Sequence, residues 1–283
     1  MITIHHGDNL AILGRFADAS YDFIYIDPPF NTGRSQSRSR VRARRDVSGT
    51  RTGFGGHRYA VESVASAAYA DQFDDYLAFL GPRLVEAKRV LAPTGGLMVH
   101  LDSREVHYVK VFLDQLFGRD HFMNEIVWAY DYGARTTKRW SAKHDTILWY
   151  VRDLKRYTFR ANESDRLPYM APGLVTPEKR KRGKLPTDTW WHTIVSPTGR
   201  EKTGYPTQKP LGILERIVKV HTKPSDRLLD FFAGSGSFGD AADRHGRDVT
   251  LVDSSAAAIR VMKKRFAGRG VELAPGRRSV GKP

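Results

Sequence analysis

The chain contains no cysteine. That excludes disulfides, thiol nucleophiles and cysteine-based zinc sites, and makes the cytoplasm the default compartment. No apolar run approaches the eighteen residues that a membrane-spanning helix needs, so no membrane partner is expected. The opening Met1-Ile2-Thr3-Ile4-His5-His6 lacks the charged start and long apolar stretch of a signal peptide. The ten histidines show no metal-ligand spacing, and no metal is assigned. Acid is in short supply. Against 46 Lys and Arg stand 31 Asp and Glu, leaving a net charge of +15. Such an excess points to a polyanionic partner, with nucleic acid the obvious candidate. The 283 residues, 40% of them hydrophobic, suffice for one large α/β domain with an inserted region. There is no internal repeat.

Asp27-Pro28-Pro29-Phe30 follows the apolar run Phe23-Ile24-Tyr25-Ile26, which reads as a buried strand. One carboxylate, two stiff prolines and one aromatic ring are thereby placed at the carboxyl end of a strand, where open α/β sheets bind ligands. Those parts suit methylation of an exocyclic amine on a flat base. The amine lone pair is delocalised into its ring. A carboxylate (Asp27) and a backbone carbonyl (Pro28) can accept its two hydrogens and draw it toward tetrahedral geometry, while Phe30 offers a stacking face. The plainer alternative is a proline-rich turn with a helix-capping aspartate.

A second pattern runs Leu228-Leu229-Asp230-Phe231-Phe232-Ala233-Gly234-Ser235-Gly236-Ser237. It reads as a short strand entering a glycine turn, followed by a helix from Phe238 to about His245. A second strand, Val249–Val252, then ends in Asp253. Glycines admit a ligand close to the backbone, and an acid at the end of the next strand suits the hydroxyls of a ribose. The separation of about twenty residues fits a nucleoside-containing cofactor.

Together the two motifs resemble the amino-methylating DNA methyltransferases that use S-adenosylmethionine. The catalytic motif precedes the cofactor motif by about two hundred residues. That order resembles the β group, a circular permutation of the shared Rossmann-like, doubly wound α/β sheet. The resemblance extends to Gly7-Asp8, similar to the pair that contacts the adenosyl base, and to Asn31-Thr32-Gly33 after the catalytic turn. It includes Gly204-Tyr205-Pro206-Thr207-Gln208-Lys209-Pro210, similar to the segment around the cofactor's methionine end, and His144–Tyr150, a further strand. Ser237, where many relatives have Thr, and Asp253, where Glu is also common, are mild departures. An Arg-rich stretch after Gly33 is a larger one.

The resemblance implies S-adenosyl-L-methionine as cofactor, held by Asp8, Thr207, Gln208, Lys209, the run Asp230, Phe231, Phe232, Ala233, Gly234, Ser235 and Gly236, and Asp253 with Ser254. It implies Asp27, Pro28, Pro29 and Phe30 as the catalytic group, acting on a nucleotide turned out of duplex DNA. Asp at the first motif position resembles adenine-N6 members. Without cysteine, attack on a pyrimidine carbon is not expected. The alternatives are cytosine-N4 methylation, an RNA or protein-amine methyltransferase, and a DNA-binding module without activity. The resemblance implies double-stranded DNA as the partner, and a homodimer and a separately encoded restriction endonuclease are further partners the family allows.

Organisation follows from composition. Residues 1–33 begin the catalytic half. Residues 34–68 read as a basic, mobile loop, and between 34 and 58 eight Arg face one Asp. Residues 69–151 complete the catalytic half, 152–203 form the target-recognition region, 204–268 the cofactor half, and 269–283 a loose tail. The expected DNA contacts are Arg34, Arg38, Arg40, Arg42, Arg44 and Arg45 in the loop, Lys138 and Arg139, and Lys179, Arg180, Lys181 and Arg182. A solvated surface is the alternative for each cluster. Trp190-Trp191-His192 reads as core or as aromatics that stack on or wedge bases.

Overall fold

The computed structural model describes residues 1–32, 36–45, 51–52, 58–69, 73, 75–131, 135–196, 199 and 201–274; for 36–69 it is the backbone that is described. The elements, in chain order, are β1 (Ile2–His6), α1 (Asn9–Leu13), β2 (Tyr21–Ile26), β3 (Gln36–Arg45), β4 (Arg51–Thr52), β5 (Arg58–Tyr69), α2 (Tyr76–Val90), β6 (Leu91–Leu101), α3 (Val106–Phe117), β7 (Phe122–Ala129), β8 (His144–Val151), α4 (Pro177–Arg182), β9 (Thr189–Trp191), α5 (Leu211–His221), β10 (Arg227–Asp230), α6 (Ser237–Arg244), β11 (Asp248–Asp253), α7 (Ala256–Arg265) and β12 (Val271–Leu273).

Nine strands form one sheet in the order β12-β1-β11-β10-β2-β6-β8-β7-β9. Every neighbouring pair is parallel except those made by β8, which runs against both β6 and β7. Helices cover both faces, which explains why the central strands read as continuous apolar runs. Phe23 and Tyr25 of β2 join the core shared with α5, α6 and α7. Ile24 and Ile26, pointing the other way, join the core shared with α2 and α3. Chain order reverses at β10 and β2. From β10 the chain goes to β11 on one side, while β2 leads to β6 on the other. Such a switch point opens a crevice at the carboxyl ends of the strands.

Two expectations require correction. Residues 36–45, 51–52 and 58–69 are not irregular. They pair as a separate antiparallel sheet, β3-β5-β4, with Arg38 opposite Ala67 and Arg42 opposite Glu62. The signal was present. From Arg38 to Arg44 arginine occupies every second position, the period of a strand, and charge counting alone hides it. The tail is also not wholly loose. Val271–Leu273 adds a parallel strand to the open edge of β1, where unpaired backbone groups favour a partner. Arg34 lies outside the described residues, as do the side chains of Arg38, Arg40, Arg42, Arg44 and Arg45.

Candidate active site

Asp27 follows directly on β2, and Asp230 ends the adjoining β10. The crevice between them opens into a cavity of about 330 Å³. Its walls include all four residues of the catalytic motif, Asp8, the segment 207–209, the glycine turn from Asp230 to Ser235, and Asp253 with Ser254. Gly236 is the one residue of the two expected groups that does not line it. Its role is steric. Its φ is +73°, and a Cβ there would lie 2.9 Å from Met262 Cγ and 3.0 Å from the Phe266 ring.

The catalytic turn is held from several sides. Asp27 Oδ2 accepts a hydrogen bond from Lys209 Nζ at 2.6 Å. Its Oδ1 is buried and has no partner. The same ammonium lies 4.7 Å from the centroid of the Phe30 ring. One cation therefore engages both the carboxylate and the aromatic face. After the motif, Asn31 takes a left-handed conformation, φ +53°. Its amide donates to Glu105 at 2.7 Å and accepts from the Phe73 N–H at 2.9 Å.

Behind the turn runs a buried polar chain. The Tyr25 hydroxyl lies 2.8 Å from His100 Nδ1, His100 Nε2 lies 3.2 Å from Asp145, and the Tyr130 hydroxyl donates to Asp145 at 3.0 Å. The His100 ring sits 6.1 Å from that of Phe30. Burial pushes the Tyr25 hydroxyl well above the usual phenol range, reinforced by the nearby Asp27 charge. Burial also acts to raise the Asp145 carboxyl, but the His100 hydrogen bond and charge win and hold it below its ordinary value. Sequence reading missed Tyr25, His100 and Tyr130, because their neighbours come from strands distant along the chain.

The glycine turn is braced by Asp253. Its Oδ2 accepts from the Gly234 N–H and its Oδ1 from the Ser255 N–H, both at 2.8 Å. Each oxygen keeps a lone pair for a further donor. Burial raises the Asp253 carboxyl despite those bonds. Burial raises Asp230 much further, against the Phe232 N–H that it accepts, with Asp27 and Asp253 adding to the rise. Asp8 caps α1 through the Ala11 N–H and pairs with Arg83 at 3.0 Å. Gln208 faces the cavity, yet its amide is used within its own segment, accepting from Thr203 and donating to the Glu201 carbonyl. Thr207 carries a positive φ of +56°.

The expected basic contacts do not line this cavity. Lys138 and Arg139 are exposed on the loop between β7 and β8, and Lys179–Arg182 form the exposed helix α4. Trp190 and Trp191 divide. Trp190 belongs to the core and Trp191 is exposed, as alternation along β9 requires.

Residues 21–264 match the family of N6 and N4 DNA methylases. The chain belongs to that family. Among curated relatives of this DNA methylase, the DNA adenine methyltransferase YhdJ of Escherichia coli K12 is 27% identical over 272 residues, covering 93% of this chain and 82% of the relative. The type II methyltransferase M.HpaI of Haemophilus parainfluenzae is 26% identical over 254 residues, covering 90% and 70%. Solved structures share the fold. They include an M1.HpyAVI–SAM complex (22% identity, TM-score 0.60, 94% and 98% covered) and the cytosine-N4-specific PvuII methyltransferase (14%, 0.65, 94% and 86%). The methylase family takes S-adenosylmethionine as methyl donor and acts on an exocyclic amine of adenine or cytosine in DNA. The residues of this methylase fit that cofactor. Gly234, at φ +50°, leaves open a space that a Cβ would narrow to 3.2 Å from the Tyr205 ring, and Asp253 stands ready beside it with spare acceptor capacity. Among the described residues no helix is long and apolar enough to cross a membrane.

Proposed function

We propose that this methylase modifies the N6 amine of adenine, acting on a nucleotide turned out of duplex DNA. The observation that carries the reading is the buried, unpartnered Oδ1 of Asp27, a residue that lines, with Phe30, the same cavity as the glycine turn. A buried carboxylate oxygen without a donor calls for one, and an aryl amine stacked on Phe30 supplies it.

Lys209 stays on Oδ2 of Asp27, and the entering amine meets the open Oδ1. It donates one hydrogen to the carboxylate and the other to the Pro28 carbonyl. Its lone pair then turns out of the ring plane toward the methyl group that S-adenosylmethionine supplies. Positioning provides much of the rate. The negative charge of Asp27 supports the nitrogen as it becomes positive. The methyl–sulfur bond would break as the methyl–nitrogen bond forms, the thioether would leave neutral, and the surplus amine proton would pass to water. Asp8, Thr207, Lys209, the turn from Asp230 to Gly236, and Asp253 with Ser254 hold the cofactor. Lys138, Arg139, the Lys179–Arg182 helix and the arginines of 34–45 take phosphates. An aspartate at the first motif position and the E. coli relative named an adenine methyltransferase both support adenine over cytosine.

Incubation with unmethylated bacterial genomic DNA and S-adenosylmethionine, then digestion to nucleosides and mass spectrometry, tests this. N6-methyladenine is expected, lost by about a thousandfold in Asp27→Ala, the scale of removing one well-placed electrostatic group. Cofactor binding by titration calorimetry should survive that substitution. N4-methylcytosine would keep the chemistry and reverse the choice of base.

A further inference from the structure

Residues 130–131 and 135–143, the described part of the connection between β7 and β8, lie at the end of the strands that carries the catalytic turn. The root of this connection is tied down. The Tyr130 N–H donates to the Lys143 carbonyl at 2.9 Å, and the Tyr130 hydroxyl binds Asp145. Asp145 in turn holds His100 against Phe30. The root is thus linked to the stacking ring through two hydrogen bonds and one ring contact.

The tip differs. Residues 135–140 are all exposed, and they carry Arg135, Lys138 and Arg139 with no acid. Hydrogen bonds from the Thr136 N–H to Ser141 and from the Lys138 N–H to Thr136 fold the tip back on itself. Trp140 stands on it 98% exposed, the most exposed large hydrophobic side chain among the described residues. Trp128, Trp149 and Trp190 are buried, and Trp191 is 72% exposed. An indole left in water contributes nothing to the fold, while it is the side chain with the most to gain from burial elsewhere. The three cations around it disfavour a second copy of a strongly basic chain and favour a polyanion.

We propose that Trp140 is a wedge. It enters the base stack beside the target nucleotide while Lys138 and Arg139 hold the flanking phosphates. The indole replaces stacking that the extruded base gives up, as apolar wedges do in proteins that open a duplex. This rests on the reading of the chain as a DNA amino-methyltransferase that turns its base out.

Two measurements on the full chain test it. In the first, tryptophan fluorescence is followed as double-stranded genomic DNA is added. The wild type should be quenched, and Trp140→Phe should lose most of the quench while still binding DNA. Equal quenching in both would overturn the proposal. In the second, 2-aminopurine replaces the target base in a duplex carrying the methylation site mapped on genomic DNA. The wild type should brighten it. Trp140→Ala should shift the extrusion equilibrium back by about five- to a hundredfold, the range carried by one base–aromatic stack. An abasic site opposite the target should restore Trp140→Ala to within about threefold of wild type, because the stack to be opened is already weakened. Full brightening by Trp140→Ala, or a deficit that the abasic site does not relieve, would overturn it. So would a change in sedimentation with both DNA signals untouched, which would assign Trp140 to self-association. If the wild type quenches on DNA through Trp140 yet transfers no methyl group, the methylation reading fails and the wedge stands.

Discussion

Lys209 Nζ lies 2.6 Å from Asp27 Oδ2, and both side chains are largely buried, 8% and 17% exposed. The two residues come from opposite halves of the chain. The pair therefore joins the catalytic turn to the segment before α5 and supplies the countercharge for an otherwise isolated carboxylate.

Removing only one partner leaves the other charge stranded. Lys209→Met should destabilise the protein by roughly 2–4 kcal/mol in chemical denaturation, since broken buried pairs leave an uncompensated ion. Asp27→Asn with Lys209→Met should recover at least about 1 kcal/mol of the summed single losses. Strict additivity would mean that the two do not interact.

Gly236→Ala forces a side chain into a left-handed residue against Met262 and Phe266. A loss of about 1–3 kcal/mol is expected, together with a fall in cofactor affinity, because the glycine turn moves with it. Thermal melts with and without S-adenosylmethionine separate the two. A variant as stable as the parent would show that the turn relaxes freely.

Burial lowers the His221 imidazole to about 3, and no partner is found for its Nδ1. The folded state keeps it neutral while the unfolded chain takes up a proton below about 6.5. The unfolded state thus binds more protons between about pH 6.5 and 3, and stability falls as pH drops through that window. At pH 4 the loss is roughly 3 kcal/mol. His221 packs beside Phe23 and Trp149. His221→Phe keeps ring contact and should flatten stability between pH 6.5 and 4, read by urea denaturation. An unchanged acid limb would place the titration elsewhere.

Lys138→Ala with Arg139→Ala should lower the slope of log binding constant against log salt by about two, one for each phosphate that is no longer neutralised. Filter binding at several salt concentrations measures it. An unchanged slope would make the tip a bystander in DNA affinity.

The two motifs that meet at the cavity are legible in the sequence because each is local: a strand, a turn and the residues that the turn presents. Asp27, Phe30, Gly234 and Asp253 could be named from short spans for that reason. The Tyr25–His100–Asp145 chain could not, since Tyr25 and His100 are 75 positions apart and only sheet register brings them together. Gln208 shows another limit. Its position in the motif is readable, but the use of its amide within its own segment depends on the fold of that segment. Trp190 and Trp191 were undecidable as a pair because strand alternation sends neighbours to opposite faces. The arginines of 36–45 hid a strand period behind their charge.

The Asn31 amide accepts from the backbone of Phe73, 42 positions later. The intervening excursion therefore departs from and returns to nearly one point. The closure entropy of such an excursion grows only slowly with its length. A change of length between the two anchors therefore costs little closure entropy. Asn31 is in this sense a socket, fixed to Glu105 on one side and to the returning chain on the other.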